Sequence, residues 1–276
     1  MRIPFAQIDA FADQPFAGNP AAVMPLSNWL DDATLQAIAA ENNLSETAFI
    51  IPDASGAADF ELRWFTPAAE VALFGHATLA SGHFVLSSEP DGARERVGFR
   101  TRQAGILEVR RDGAGYALAL PAWAPAPRDL NAVARALGVD APTETLWHDK
   151  GYALIVAPDA DVVRRLDPSS AGMEAAGRAS DGGRVVAVIT ARGDERSRSD
   201  IVSRVFTPGF GIHEDPVTGS AHAVSVPYWA KRLGRDRFTA FQSSARGGHL
   251  TCELRGNQVV LGGSCVTVIE GTFLLP

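Results

Sequence analysis

The chain has 276 residues, 46% hydrophobic and 21% charged, and a formal net charge of −7. That is enough ordinary globular sequence to build one large domain or two of usual size, so no disulfide or metal staple is needed. The acidic balance argues against nucleic acid or an anionic membrane as the main partner, because both select a basic face.

No apolar run approaches the roughly 20 residues that span a bilayer, and residues 1–13 contain no apolar signal core. Cys252 and Cys265 have neither metal-ligand nor redox spacing, and two isolated thiols suit a reducing compartment. A cytoplasmic protein is expected.

Residues 3–11 alternate and read as a strand. Asp31 is placed to cap a helix that carries Leu35, Ile38 and Ala39 on one face and ends at Asn42-Asn43. Residues 47–51 and 60–66 read as strands. Residues 77–86 are small and apolar on nearly every side, which predicts a buried helix. Residues 97–101, 106–110 and 116–120 form a meander, with turns at 103–105 and 112–115. The Pro/Ala stretch 121–127 lacks periodicity and is the linker candidate.

Beyond it, Asp129 is expected to cap a helix bearing Leu130, Val133 and Leu137, stopped by Gly138. Residues 154–157, 185–190 and 201–207 read as strands, 159–166 as a short helix stopped by Pro168, and 191–200 as a charged turn. The C-terminal part is β-rich, with Gly256-Asn257 as a hairpin turn between 250–254 and 258–261.

The chain also repeats itself. Arg63-Trp-Phe-Thr-Pro67 recurs as Arg204-Val-Phe-Thr-Pro208, and each copy is followed by a Gly-led run of small residues, Gly75-His-Ala-Thr-Leu-Ala-Ser81 and Gly219-Ser-Ala-His-Ala-Val-Ser225. The offset is close to half the chain. A duplication predicts two pseudo-equivalent halves, 1–120 and 128–263, joined by 121–127, with the last strand, 264–276, packing on the first half. Similar domains that face each other leave a cleft, a favoured ligand site, where the loops 70–76 and 209–220 would meet.

Each of those loops ends at a helix N-terminus, which offers free N–H groups and partial positive charge, and Gly75 and Gly219 allow close approach. Such a pair would hold a carboxylate without arginine; taken singly, each glycine also suits a tight turn. Titratable groups cluster nearby: His76 at the first helix start, His213, Glu214 and Asp215 before the second, His222 inside it, and Glu46 at the entry to a strand. A histidine at a helix start is often a cap, Asp215-Pro216 also reads as a plain turn, and a glutamate leading an apolar strand usually faces solvent.

Phe16-Ala-Gly-Asn-Pro-Ala-Ala-Val23, Asn43-Leu-Ser-Glu-Thr-Ala-Phe49, Phe74-Gly-His-Ala-Thr78 and Glu214-Asp-Pro-Val-Thr-Gly-Ser-Ala-His222 occur in this order over most of the chain. Together they resemble the signatures of the PhzF family, phenazine-biosynthesis-like isomerases related to diaminopimelate epimerase. The resemblance implies an α+β fold of two pseudo-equivalent domains, each a central helix wrapped by a curved, mostly antiparallel sheet. It also implies a homodimer, no cofactor and a small carboxylate-bearing substrate.

Carried over by position, the resemblance assigns proton transfer to Glu46, acid–base and orienting roles to His76 and Asp215, and substrate binding to Gly75, Gly219 and Ser220. Asn19 and Ser45 are further substrate-binding candidates. The related epimerases place a cysteine at each helix start; this chain has none there, so a two-thiol racemase is not expected. Pro227 falls inside the second central helix and predicts a kink or a shortening there, since an interior proline costs about 3 kcal/mol.

The expected chemistry is allylic isomerisation, tautomerisation or epimerisation, with Glu46 made more basic by a water-poor cleft. The alternatives are a binding protein that captures a small acid without turnover, and a metal hydrolase built on His213, Glu214, Asp215 and His222. The latter lacks the helical spacing of two histidines around a glutamate, and residues 209–219 lack the Gly-Lys-Ser/Thr of a phosphate loop.

Overall fold

The computed structural model describes residues 1–71, 75–89, 93–181 and 184–275. The chain divides into two compact units, Met1–Leu120 with Gly262–Pro276, and Pro121–Leu261.

In the first unit β1 (Arg2–Ala10) pairs antiparallel with β2 (Asn19–Pro25), which runs parallel to β3 (Glu46–Pro52). β3 pairs antiparallel with β4 (Phe60–Phe65), flanked by the short β5 (Glu70–Val71), and β4 runs parallel to β6 (Arg96–Thr101). β7 (Ile106–Asp112) and β8 (Gly115–Pro121) complete the meander.

The helix α1 (Asp32–Asn42) is capped as its sequence demands: the Asp31 carboxylate accepts the Thr34 N–H, and Asn43 closes the end with φ 49°. Its Leu35, Ile38 and Ala39 pack with Met24, Phe49 and Phe65. Strand neighbours point to opposite faces, so Ala48 and Ile50, equally buried, face the other way. On that side lies α2 (Gly75–Ser87), packed against β1, β2, β3, β6 and β7.

The small residues of α2 let the sheet come close. A Cβ at Gly82 would lie 2.3 Å from a methyl of the fully buried Val109. Gly82→Ala is therefore expected to cost about 1–3 kcal/mol through overpacking, read as a lower urea midpoint.

The second unit opens with β9 (Ala126–Pro127), α3 (Asn131–Leu137), β10 (Glu144–His148) and β11 (Tyr152–Val156). Next come α4 (Ala160–Arg165), α5 (Ser170–Asp181), β12 (Val186–Arg192), β13 (Ile201–Thr207), a 3-10 turn (Pro208–Phe210) and β14 (Ile212–Asp215). α6 (Gly219–Leu233), β15 (Arg237–Gln242), β16 (Gly248–Arg255) and β17 (Gln258–Gly263) follow, and β18 (Cys265–Leu274) returns to pair with β1.

The pairing scheme repeats that of the first unit: β10–β11 antiparallel, β11–β12 parallel, β12–β13 antiparallel, β13–β14 antiparallel, β13–β15 parallel, β15–β16 antiparallel. α6 packs on β11, β12 and β16, as α2 does on its own sheet. The repeated word in the sequence carries the same contacts in both copies. Arg63 makes two hydrogen bonds to Glu70, both 2.7 Å, and lies 5.0 Å from the Phe65 ring centre. Arg204 makes two to Glu214, at 2.7 and 2.9 Å, and lies 4.8 Å from Phe206.

Three local expectations are corrected. The cap of α3 is Leu130, without a side-chain bond, while Asp129 accepts the N–H of Asn131 at 3.0 Å. The helix α5 has no counterpart among the expected elements, although its alanines, Met173, Glu174 and Arg178 favour a helix and only Gly172 and Gly177 interrupt the signal. The third concerns α6, which runs unshortened through Pro227. The proline removes the N–H that would reach the Ala223 carbonyl, and the Trp123 N–H takes its place at 3.0 Å. The buried carbonyl is thus satisfied from outside the helix, by the Pro/Ala stretch that precedes β9.

Candidate active site

In the first unit two elements deliver the key side chains. Glu46 is the first residue of β3, and His76 is the second of α2; their side chains are 0% and 1% exposed. His76 Nε2 lies 2.6 Å from Glu46 Oε2. Asn19, the buried first residue of β2, places its amide Nδ2 3.2 Å from His76 Nδ1. An amide nitrogen only donates, so Nδ1 accepts and the ring proton sits on Nε2, the nitrogen nearer the carboxylate. Asn19 thereby sets the tautomer of the imidazole that faces Glu46.

The loop before Asn19 is anchored by a residue that sequence reasoning missed. The buried Asp9 accepts the Phe16 N–H at 2.8 Å, and Phe16 adopts φ 71°. An aspartate placed among buried neighbours in an apolar strand was the available signal. Gly75 opens α2 and is buried, and Ser45 is half-buried just before β3. Phe74, and with it part of the loop 70–76, lies outside the described residues.

The second unit holds the other predicted residues. Asp215, 4% exposed, ends β14, and its Oδ2 accepts the Thr218 hydroxyl at 2.6 Å. Gln242 locks the turn: its amide donates to the Asp215 carbonyl at 2.7 Å and accepts the Thr218 N–H at 2.8 Å. Gln242 was legible only as a polar residue in the inward register of β15, with Phe238 and Ala240. Thr218 is the N-cap of α6 but makes no side-chain cap bond, since its hydroxyl serves Asp215. Gly219 and Ser220, both buried, form the first two positions of α6.

The other polar residues of this loop are committed elsewhere. Glu214 is held by Arg204, and His213 Nδ1 meets the Ser170 hydroxyl at 2.7 Å. His222 Nδ1 donates to the Thr218 carbonyl at 2.8 Å. Among the described residues no three His, Cys, Asp or Glu side chains are grouped to hold a metal ion.

Burial pushes the His222 pKa down to about 4. A histidine is near 6.5 when unfolded, so the unfolded chain binds the extra proton first and stability falls as pH drops from 6.5 towards 4. The loss from this group is about 3 kcal/mol over that window. His222→Asn, which keeps a donor for Thr218, is expected to flatten the dependence of urea stability on pH there.

The sequence profile of the family described as Phenazine biosynthesis-like protein, PhzC-PhzF, matches residues 8–271. An uncharacterized isomerase of Pseudomonas aeruginosa is 46% identical over 100% of both chains. A crystal structure of a phenazine biosynthesis protein of the PhzF family from Enterococcus faecalis superposes with TM-score 0.88 at 40% identity, covering 100% of each chain. The fold also matches that of a hydroxyproline epimerase from Agrobacterium vitis, with TM-score 0.65 at 13% identity over 98% and 92% of the two chains. With its paired units, its buried Glu46–His76 contact and a family match over nearly its whole length, the chain belongs to the PhzC-PhzF family of phenazine biosynthesis-like proteins, on a fold shared with epimerases.

Proposed function

We propose that the protein is an isomerase that moves a proton on a small carboxylate-bearing substrate, using side chains alone and Glu46 as the base. The observation that carries this reading is the 2.6 Å contact between two titratable side chains with almost no exposure, Glu46 and His76. Burial in low dielectric disfavours the charged form of a carboxylate and so favours its taking a proton. His76 Nε2 stands beside the carboxylate, and the Asn19 amide on Nδ1 keeps the ring proton on that side.

In the proposed step the carboxylate takes the proton from a carbon acidified by its neighbouring group, becomes the carboxylic acid, and returns that proton to another position or face. Asp215 takes the second acid–base or orienting role, and Gly75, Gly219, Ser220 and Ser45 bind the substrate. The uncapped first turn of α6 supports a role in holding a carboxylate, because its N–H groups are not used by Thr218.

The test is deuterium uptake from solvent into a panel of amino acids and unsaturated acids, followed by mass spectrometry. Uptake that needs Glu46 and Asp215 supports the reading; an active substrate processed equally well by Glu46→Gln refutes it.

A further inference from the structure

We propose that the second unit carries a separate binding site for a small organic anion, in the cavity between α5, the start of β12 and the 3-10 turn at Pro208–Phe210. The cavity has a volume of about 360 Å³ and is lined by Met173, Glu174, Gly177, Arg178, Arg184, Val185, Pro208 and Gly209. Its volume falls within the range of small-molecule sites. None of Glu46, His76, Asp215 or Ser220 lines it, so the inference goes beyond the proposed reaction and does not rest on it.

The lining has two chemistries. Met173, Val185 and Pro208 are buried and give an apolar wall. Arg178 and Arg184 supply two guanidinium groups against one carboxylate, Glu174, in a chain whose net charge is −7. Arg178 meets Glu174 only at 3.4 Å, with the two side chains 65% and 35% exposed. Such an exposed pair is weak and leaves the guanidinium available.

Arg184 has no carboxylate partner among the described residues. Its guanidinium stands 5.6 Å from the ring centre of Phe210, which is itself 42% exposed. The turn backbone also comes close to the arginine stem: a Cβ at Gly209 would lie 3.3 Å from Arg184 Cγ.

An arginine propped on an aromatic ring, beside an apolar wall and with no carboxylate partner among the described residues, is suited to bidentate recognition of a carboxylate or phosphate. The ligand class is therefore an anionic head on a short apolar body. The head would lie between Arg178 and Arg184, with the body against Met173, Val185 and Pro208.

The chain has three methionines, and they report on this directly. Met173 lines the cavity, while Met24 is buried in the core of the first unit. Protein labelled with carbon-13 at the methionine methyl groups is titrated with benzoate, phenyl phosphate, inorganic phosphate and benzyl alcohol. The Met173 signal is expected to move saturably with benzoate or phenyl phosphate while that of Met24 stays still, and the tighter of the two identifies the preferred head.

Inorganic phosphate, without an apolar body, should bind several-fold more weakly, and neutral benzyl alcohol should leave Met173 unmoved. Arg184→Ala should weaken binding about tenfold, as loss of a charge-assisted contact does. Arg178→Ala, on an exposed helix face, gives a second reading where folding is not at issue. Glu46→Gln should bind as the parent does, which separates this site from the proposed base. Absence of a saturable Met173 shift up to about 20 mM, well above the millimolar range of weak specific sites, would overturn the assignment. So would benzyl alcohol binding as well as benzoate, or affinity unchanged in both arginine variants.

Discussion

Glu46→Gln is expected to lower deuterium uptake into the substrate by about 10²–10⁴-fold, the range general acid–base transfer contributes, with the fold intact. The substitution is nearly isosteric and leaves an amide where the carboxylate stands, 2.6 Å from His76 Nε2. Packing therefore persists while basicity is lost. Glu46→Asp is expected to fall between the two, because it stays basic but withdraws from His76 by one methylene.

Asn19→Leu should act differently. It removes the donor on Nδ1, so the imidazole can move its proton off Nε2 and leave two acceptors facing each other. Rates from mass spectrometry, set beside thermal melts of each variant, separate chemistry from stability. Wild-type uptake in folded Glu46→Gln would move the base to another residue.

Arg63→Ala is expected to destabilise the protein by about 1.5–3 kcal/mol, the scale of lost hydrogen bonds to charged groups, since its partners Glu70 and Asp32 are 28% and 70% exposed. The Arg63 side chain is 2% exposed and binds Glu70 through two 2.7 Å contacts and Asp32 at 2.8 Å. Its guanidinium lies 5.2 Å from the ring centre of Trp29 and 5.0 Å from that of Phe65. Truncation removes the partner of Glu70, which is 28% exposed, and opens space beside two aromatic rings.

Arg63→Lys should recover only part of the loss, since an ammonium cannot make the paired contact or stack in the same way. Arg204→Ala is the matched experiment in the second copy. Its carboxylate partner Glu214 is 16% exposed, and the Leu166 carbonyl also depends on Arg204. Urea denaturation of the two variants should give losses of similar size; a loss below about 1 kcal/mol in both, the scale of an exposed ion pair, would contradict the reading of these arginines as buried anchors.

The repeat around Arg63 and Arg204 was legible because both copies kept the residues whose contacts are made within a few positions: arginine, aromatic two residues on, acid a short loop later. For the same reason Asp31, Asn43, Gly138 and Asp159 could be read as helix ends, since a cap is satisfied by neighbours in sequence. Asp129 shows the limit of that reasoning. Its carboxylate does meet a nearby N–H, that of Asn131, yet the helix begins one residue further on, at a leucine cap.

The sequence by itself determined the two-fold plan, the small-residue helices that each sheet encloses, and the residues whose motifs mark the chemistry. Only the tertiary structure decided that Glu46 and His76 touch, that Asn19 turns its amide to the imidazole, and that Gln242 holds the Asp215 turn. These partners are 30, 57 and 27 residues apart, and no local propensity encodes a contact closed by packing of separate elements. Pro227 shows the same division. Local physics predicts a helix kinked or shortened there, and an N–H from Trp123, 100 residues or more away in sequence, supplies what the proline withholds.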